Sequence, residues 1–184
     1  MYEHIKFKNA INMRKANYDK FPSTKLTGML VQGWDSIISM LKKKMDARKV
    51  LAVDLYTGVY EEEVLDAFSK EFSGRVMNVR DLMKPEKEIQ TLTERFMTED
   101  VLFGYVTNLK LEDYLDADKV AAARKQISEA KDAIVIIGTG ASVVAPQDAM
   151  VVYADMARWE IQQRFRRHEV KALGIDNRND AVSL

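Results

Sequence analysis

Apolar residues recur along the chain in two alternating patterns: short unbroken runs, and longer stretches with a period near 3.6. Residues 34–48 form the first periodic stretch. Ile37, Ile38, Leu41 and Met45 fall on one face, with Asp35 or Ser36 placed to cap the helix. Residues 49–54 then carry the run Val50-Leu-Ala-Val53, which has the length and content of a buried strand. Past a turn at Gly58, a helix is expected over 60–72 with Val64, Leu65 and Phe68 inward and Gly74 as its stop. Residues 75–79 read as a second short strand, and Pro85 opens a helix to about residue 97. Residues 101–106 read as a strand, and 111–130 as a helix with Leu111, Tyr114, Leu115, Val120, Ala123 and Ile127 on its apolar face. The most strongly marked strand is 133–137; 150–153 is another, and 156–171 is a closing helix.

Strands thus alternate with helices, and several strands are apolar along their whole length. This predicts an α/β fold, a three-layer α/β/α sandwich with a mostly parallel sheet buried on both faces. Ligands collect at the carboxyl ends of such strands, so the loops after Val53, Val79 and Ile137 are the places to look for chemistry. Residues 1–33 lack a sustained period and read as an N-terminal arm, 34–173 as the domain, and 174–184 as a polar tail or linker.

The 184 residues are 47% apolar, enough for one sizeable core, and contain no cysteine. A disulfide framework, an iron–sulfur cluster and a thiolate zinc site are therefore excluded. Lys+Arg and Asp+Glu balance at 28 each, which argues against a nucleic-acid partner. The longest nearly apolar run, 133–145, is too short to span a bilayer, and the first fifteen residues lack a secretory apolar region. The expectation is no membrane partner and a cytoplasmic address. Charge is uneven locally. Basic residues dominate 1–30 and 41–50, whereas Asp54, Glu61, Glu62, Glu63, Asp66 and Glu71 oppose only Lys70.

The stretch from Asp54 to Leu65 follows a strand and opens a helix, the position of a phosphate-cradling loop. Thr57 and Gly58 suit such a loop. Where it would need a glycine, a lysine and a Ser/Thr, this chain has Tyr60, Glu61 and Glu62. A carboxylate about 4 Å from a phosphate is repelled by roughly 1 kcal/mol in water and roughly 4 kcal/mol at an effective dielectric near 20. The three glutamates suit the positive end of the helix dipole without a ligand. The other readings are a seat for a metal or sugar hydroxyls, or retained nucleotide binding.

Three stretches carry a family resemblance: Lys49-Val-Leu-Ala-Val-Asp54 with its altered loop, Asp132-Ala-Ile-Val-Ile-Ile-Gly138, and Met150-Val-Val-Tyr-Ala-Asp155 leading into the arginine-rich segment from Arg158 to Arg167. Over about residues 34–172 the chain resembles the P-loop nucleoside-kinase-like fold of the uridine-kinase kind. It looks closer still to the kinase-like N-terminal region before the cupin part of some bacterial class I mannose-6-phosphate isomerases. The resemblance implies a P-loop NTPase-like architecture, with Asp81 in the place of the base that takes the substrate hydroxyl proton. Read on its own, Asp81 equally caps the following turn. The strand ending at Gly138 lacks the acid that would order Mg²⁺. Arg164, Arg167 and Lys171 are spaced along one helical face with Arg158 before them. They form either a solvated basic face or, as the resemblance implies, a contact to phosphate or a partner domain.

Gly138-Thr-Gly-Ala-Ser142 looks like half a dinucleotide fingerprint, but residue 143 is Val, Pro146 follows, and the next strand leaves no room for a receiving helix. The glycines read instead as a tight turn or a close approach to a neighbouring loop. His4 and His168 are too far apart to suggest a zinc pair. The expectation is a catalytically degenerate kinase-like accessory or regulatory domain, with no cofactor and no resident metal. Its partner would be a linked or associated isomerase domain, or a second copy joined through the basic arm. The alternative is an active ATP-dependent nucleoside or sugar kinase using Mg²⁺, Asp81 as base, and Arg164 and Arg167 at the phosphates.

Overall fold

The computed structural model describes residues 18, 22–25, 27–100 and 103–180, and the chain divides into two units, 1–30 and 31–184. Most of the basic arm, together with His4, Val101, Leu102 and residues 181–184, lies outside the described residues. In the first unit the described residues form no helix or strand, and Tyr18, Met29 and Leu30 are exposed.

The second unit is α/β. Helix α1 (Trp34–Met45) buries Ile38, Leu41 and Met45, an i, i+3, i+7 stripe, and Lys42, Lys43 and Lys44 complement its carbonyl end. Its cap differs from expectation. Gly33 holds the N-cap position without a side-chain bond and Asp35 sits inside the first turn; the helix stops at Met45, where Asp46 turns left-handed (φ 49°). Strand β1 (Val50–Leu55) is buried throughout. It leads into α2 (Glu61–Glu71), β2 (Arg75–Asn78), a 3₁₀ turn (Val79–Leu82) and α3 (Glu86–Glu94). After a 3₁₀ turn (Leu111–Tyr114) come α4 (Ala117–Glu129), β3 (Ile134–Gly138), the single turn α5 (Ala141–Val144), β4 (Met150–Ala154) and α6 (Arg158–Arg166).

The four strands run parallel in the order β2-β3-β1-β4. Alternate residues of β1 and β3 feed two cores. Ala52 and Ile136 pack with Val79, Ile89, Ala123 and Val144 on one face. Val53 and Ile137 pack with Ile38, Leu41, Val64 and Phe68 on the other. Burial on both faces is why these two strands read as unbroken apolar runs.

Three further expectations are corrected. Among the described residues of 101–106 there is no strand: Phe103, Tyr105 and Val106 are 71%, 70% and 97% exposed, and the Tyr105 N–H bonds back to the Phe96 carbonyl at 2.9 Å. An apolar run without a ladder partner stays irregular. The stretch 111–130 is two elements, because Leu115 is extended and bridges Met83, and the Asp116 carboxylate accepts from the N–H groups of Asp118 (3.0 Å) and Lys119 (3.1 Å) to start α4. The closing helix is shorter than 156–171: α6 ends at Arg166, and His168 adopts φ 57°. Beyond it Val170 is buried, and Leu173 and Ile175 return to the first core. Among the described residues no helix is long and apolar enough to cross a membrane.

Candidate functional site

At the carboxyl end of β1 the Asp54 side chain is buried. Its Oδ1 accepts from the Gly140 N–H at 2.9 Å, and its Oδ2 from the Ser142 N–H at 3.0 Å and from the Ser142 hydroxyl. A buried carboxylate persists only when its oxygens are satisfied in this way. The motif 138–142 is thereby explained. Gly140 at φ 88° makes the turn at which its own amide and that of Ser142 meet Asp54, and Gly138 lies so close to Val79 that a Cβ would come 2.8 Å from the Val79 Cβ. One turn of helix, α5, does follow Gly140, where the spacing had left no room for a helix. Asp54 takes the amides of its N-cap, Gly140, and of Ser142. The sequence placed Asp54 at the start of the loop without giving it a role; the available signal was an acid closing an otherwise apolar strand.

The loop from Tyr56 to Tyr60 follows. Gly58 takes φ 92°, and a Cβ there would stand 2.9 Å from the Ile161 Cγ2, so α6 lies directly on the loop. Arg164 Nη1 donates to the Gly58 carbonyl at 2.9 Å, and its guanidinium carbon stacks 3.6 Å above the Tyr60 ring. The Tyr60 hydroxyl donates to Glu169 Oε2 at 2.5 Å. Arg167 joins Glu169 (2.7 Å) to Glu160 (3.1 Å), and Glu160 also holds Arg164 (3.2 Å). The cavity left behind the loop, beside Thr57, Tyr60, Glu61, Arg80 and Thr139, has a volume of about 40 Å³. A single water needs on the order of 10–15 Å³ by this measure, so the space suits a few waters.

The three glutamates that open α2 each have a partner. Glu61 pairs with Arg80 at 3.1 Å, Glu62 with Lys171 at 3.0 Å, and Glu63 accepts from the Trp34 indole N–H at 3.0 Å. The second Glu61 oxygen, Oε1, is buried without a partner among the described residues. No group of His, Asp or Glu able to hold a metal ion occurs among the described residues.

These contacts shift the titrating groups. The Arg167 guanidinium, and then the Tyr60 hydroxyl, hold Glu169 down to about 2. The Glu169 bond, with burial behind it, pushes the Tyr60 phenol up. Lys171 lowers Glu62, Arg164 and then Arg167 lower Glu160, and Glu169 followed by Glu160 raises Arg167.

The structure brings Thr57, Gly58, Tyr60, Glu61, Glu62, Arg164 and Arg167 together, and leaves two candidates apart. Asp81 is exposed within the 3₁₀ turn that Asn78 caps by accepting from the Arg80 N–H at 2.8 Å, and among the described residues its own side chain caps no following turn. Arg158 is exposed and makes no side-chain bond among the described residues. Arg167 and Lys171 do not continue the helical face of Arg164. They lie past the end of α6 and reach the loop because the chain reverses at His168. Trp159 is 68% exposed. Glu160 and Glu169 were missed. Glu160 was readable as the i, i+4 partner of Arg164; Glu169 follows a non-periodic turn and had no local signal.

No curated protein and no solved structure matches the chain. Residues 33–184 match the family model described as Domain of unknown function (DUF8485), which covers the whole sheet, the loop after β1 and every side chain that closes it. The chain belongs to the DUF8485 family.

Proposed function

We propose that this chain is a P-loop-like, kinase-like domain without nucleotide chemistry, acting as an accessory or regulatory module. The observation that carries the reading is the closed loop: Arg164 is bonded to the Gly58 carbonyl and stacked on Tyr60, which Glu169 holds in turn. A loop that cradles phosphate keeps its amides open and sets a cation beside the terminal phosphates. In this chain Arg164, Arg167 and Lys171 turn to its own carboxylates, and Glu61 and Glu62 stand where the cation and the magnesium-binding hydroxyl would be needed. A parallel sheet with the loop-bearing strand in its interior supports the architectural part of the reading. The resemblance supplies the candidate partner, a sugar-phosphate isomerase domain, and exposed Arg158 is a cation free to meet a partner's acid. Active phosphotransfer, with ATP and Mg²⁺, is not favoured: Asp81 is exposed and does not line the cavity behind the loop.

Isothermal titration of the full chain with ATP or GTP and Mg²⁺ is the test. Binding no tighter than millimolar is expected. Magnesium-dependent binding in the micromolar range overturns the reading.

A further inference from the structure

One margin of the sheet is open. Strand β4 has β1 on one side and no strand on the other among the described residues. The Tyr56 N–H donates to the Ala154 carbonyl at 2.9 Å, so that carbonyl faces the sheet. Main-chain groups alternate in direction along a strand. The N–H and C=O groups of Val151 and Tyr153 therefore point outward, and their side chains are 55% and 57% exposed. Natural sheets guard such edges with lysine, proline or inward charge. Met150-Val-Val-Tyr-Ala154 carries none of these.

We infer that two copies of this chain pair antiparallel through β4, making one continuous sheet across a two-fold axis at Val152. The occupant is a second copy because the edge is complementary to itself. With Val152 opposite its counterpart, Val151 stands opposite Tyr153 of the second copy, and the outward groups of the two residues exchange both of their hydrogen bonds. An aromatic residue opposite a β-branched one is a favoured cross-strand pair. The charges beside the strand lie at its two ends: Asp148 in the turn before β4, Asp155 and then Arg158 after it. Antiparallel pairing brings the Asp148 end of the second copy to the end where Arg158 follows Asp155. Asp148 and Arg158 are exposed, and neither makes an ion pair among the described residues. The arrangement is isologous and closes on itself. It is independent of the function proposed for the loop.

Sedimentation equilibrium of the full chain across a wide concentration range is expected to reach twice the 21.1 kDa chain mass. Tyr153→Pro removes only an outward N–H and keeps the ladder with β1, so it returns the mass of one chain. The double change Val151→Lys with Tyr153→Lys sets lysines opposite one another and does the same, which keeps the test alive if the proline variant folds poorly. Because the chain has no cysteine, Val152→Cys supplies a single thiol at the axis. Cα atoms of a non-hydrogen-bonded antiparallel pair lie about 4.5 Å apart, within disulfide range, so oxidation gives a covalent dimer, whereas Ser128→Cys does not. A single-chain mass at every concentration overturns the inference. So does a dimer that survives the proline and lysine changes and fails to cross-link at residue 152, which would place the interface elsewhere, as in the basic N-terminal segment.

Discussion

Glu169 and Tyr60 share a hydrogen bond over the loop, and protonation of the one or ionisation of the other weakens it. Glu169 is lowered from its ordinary 4.5 to about 2, chiefly by Arg167. Its contribution is therefore complete above pH 4.5 and is lost as pH falls towards 2. Tyr60 is raised above 10.0 by its bond to Glu169, so its contribution is present below pH 10 and is lost as pH rises through the raised value. A carboxyl NMR titration is expected to place the Glu169 midpoint near 2 in the native chain. Tyr60→Phe is expected to move it upward, with Arg167 keeping it below the ordinary glutamate range. An ordinary midpoint in the native chain would contradict the geometry. At this scale the loop acids and Arg164 were legible, since each sits at a fixed offset from a strand or on a helical period. Glu169 was not, because its position depends on a left-handed turn at His168.

Helix α6 is joined to the loop chiefly through Arg164, its bond to the Gly58 carbonyl and its stacking on Tyr60. Together these are worth on the order of 1–3 kcal/mol. Arg164→Ala is expected to speed hydrogen exchange at the Val59 amide by roughly tenfold, the equivalent of about 1.4 kcal/mol, while the amides of β1 remain unchanged. Unchanged exchange at Val59 would mean the loop is closed by other contacts. The elements themselves were unevenly legible. β1 and β3 stood out because burial on both faces leaves them apolar, up to Asp54 in β1. The stretch 101–106 offered a similarly apolar run, and its described residues, with no ladder partner, are exposed. In 111–130 the helical spacing continues through Leu115, so the break at Asp116 is visible only where its carboxylate meets two backbone amides.

The molecule is held by two cores that share one sheet, so neither can be lost without the strands of the other. Ile136 and Ile137 are both fully buried and face opposite sides of β3. Ile136→Ala and Ile137→Ala are each expected to cost about 2–5 kcal/mol and to leave one cooperative transition. Chemical denaturation followed by circular dichroism and by tryptophan fluorescence would check this; separated transitions would show that the faces unfold independently. From the amino acids alone, the alternation of strands and helices, the buried strands and the acidic start of α2 were determined, because each is written in neighbouring residues as period, length or charge. The closed loop was decided by the tertiary structure. Gly58 and Arg164 are 106 residues apart, and Tyr60 and Glu169 are 109 apart. They meet because β4 pairs beside β1 and delivers α6 onto the loop. The open edge of β4 was decided in the same way: Met150-Val-Val-Tyr reads as a two-face-buried strand, and only its place at the margin of the sheet leaves Val151 and Tyr153 in solvent. Local spacing encodes which face of an element seeks burial. Which distant segment arrives to cover it depends on strand order, which no local pattern carries.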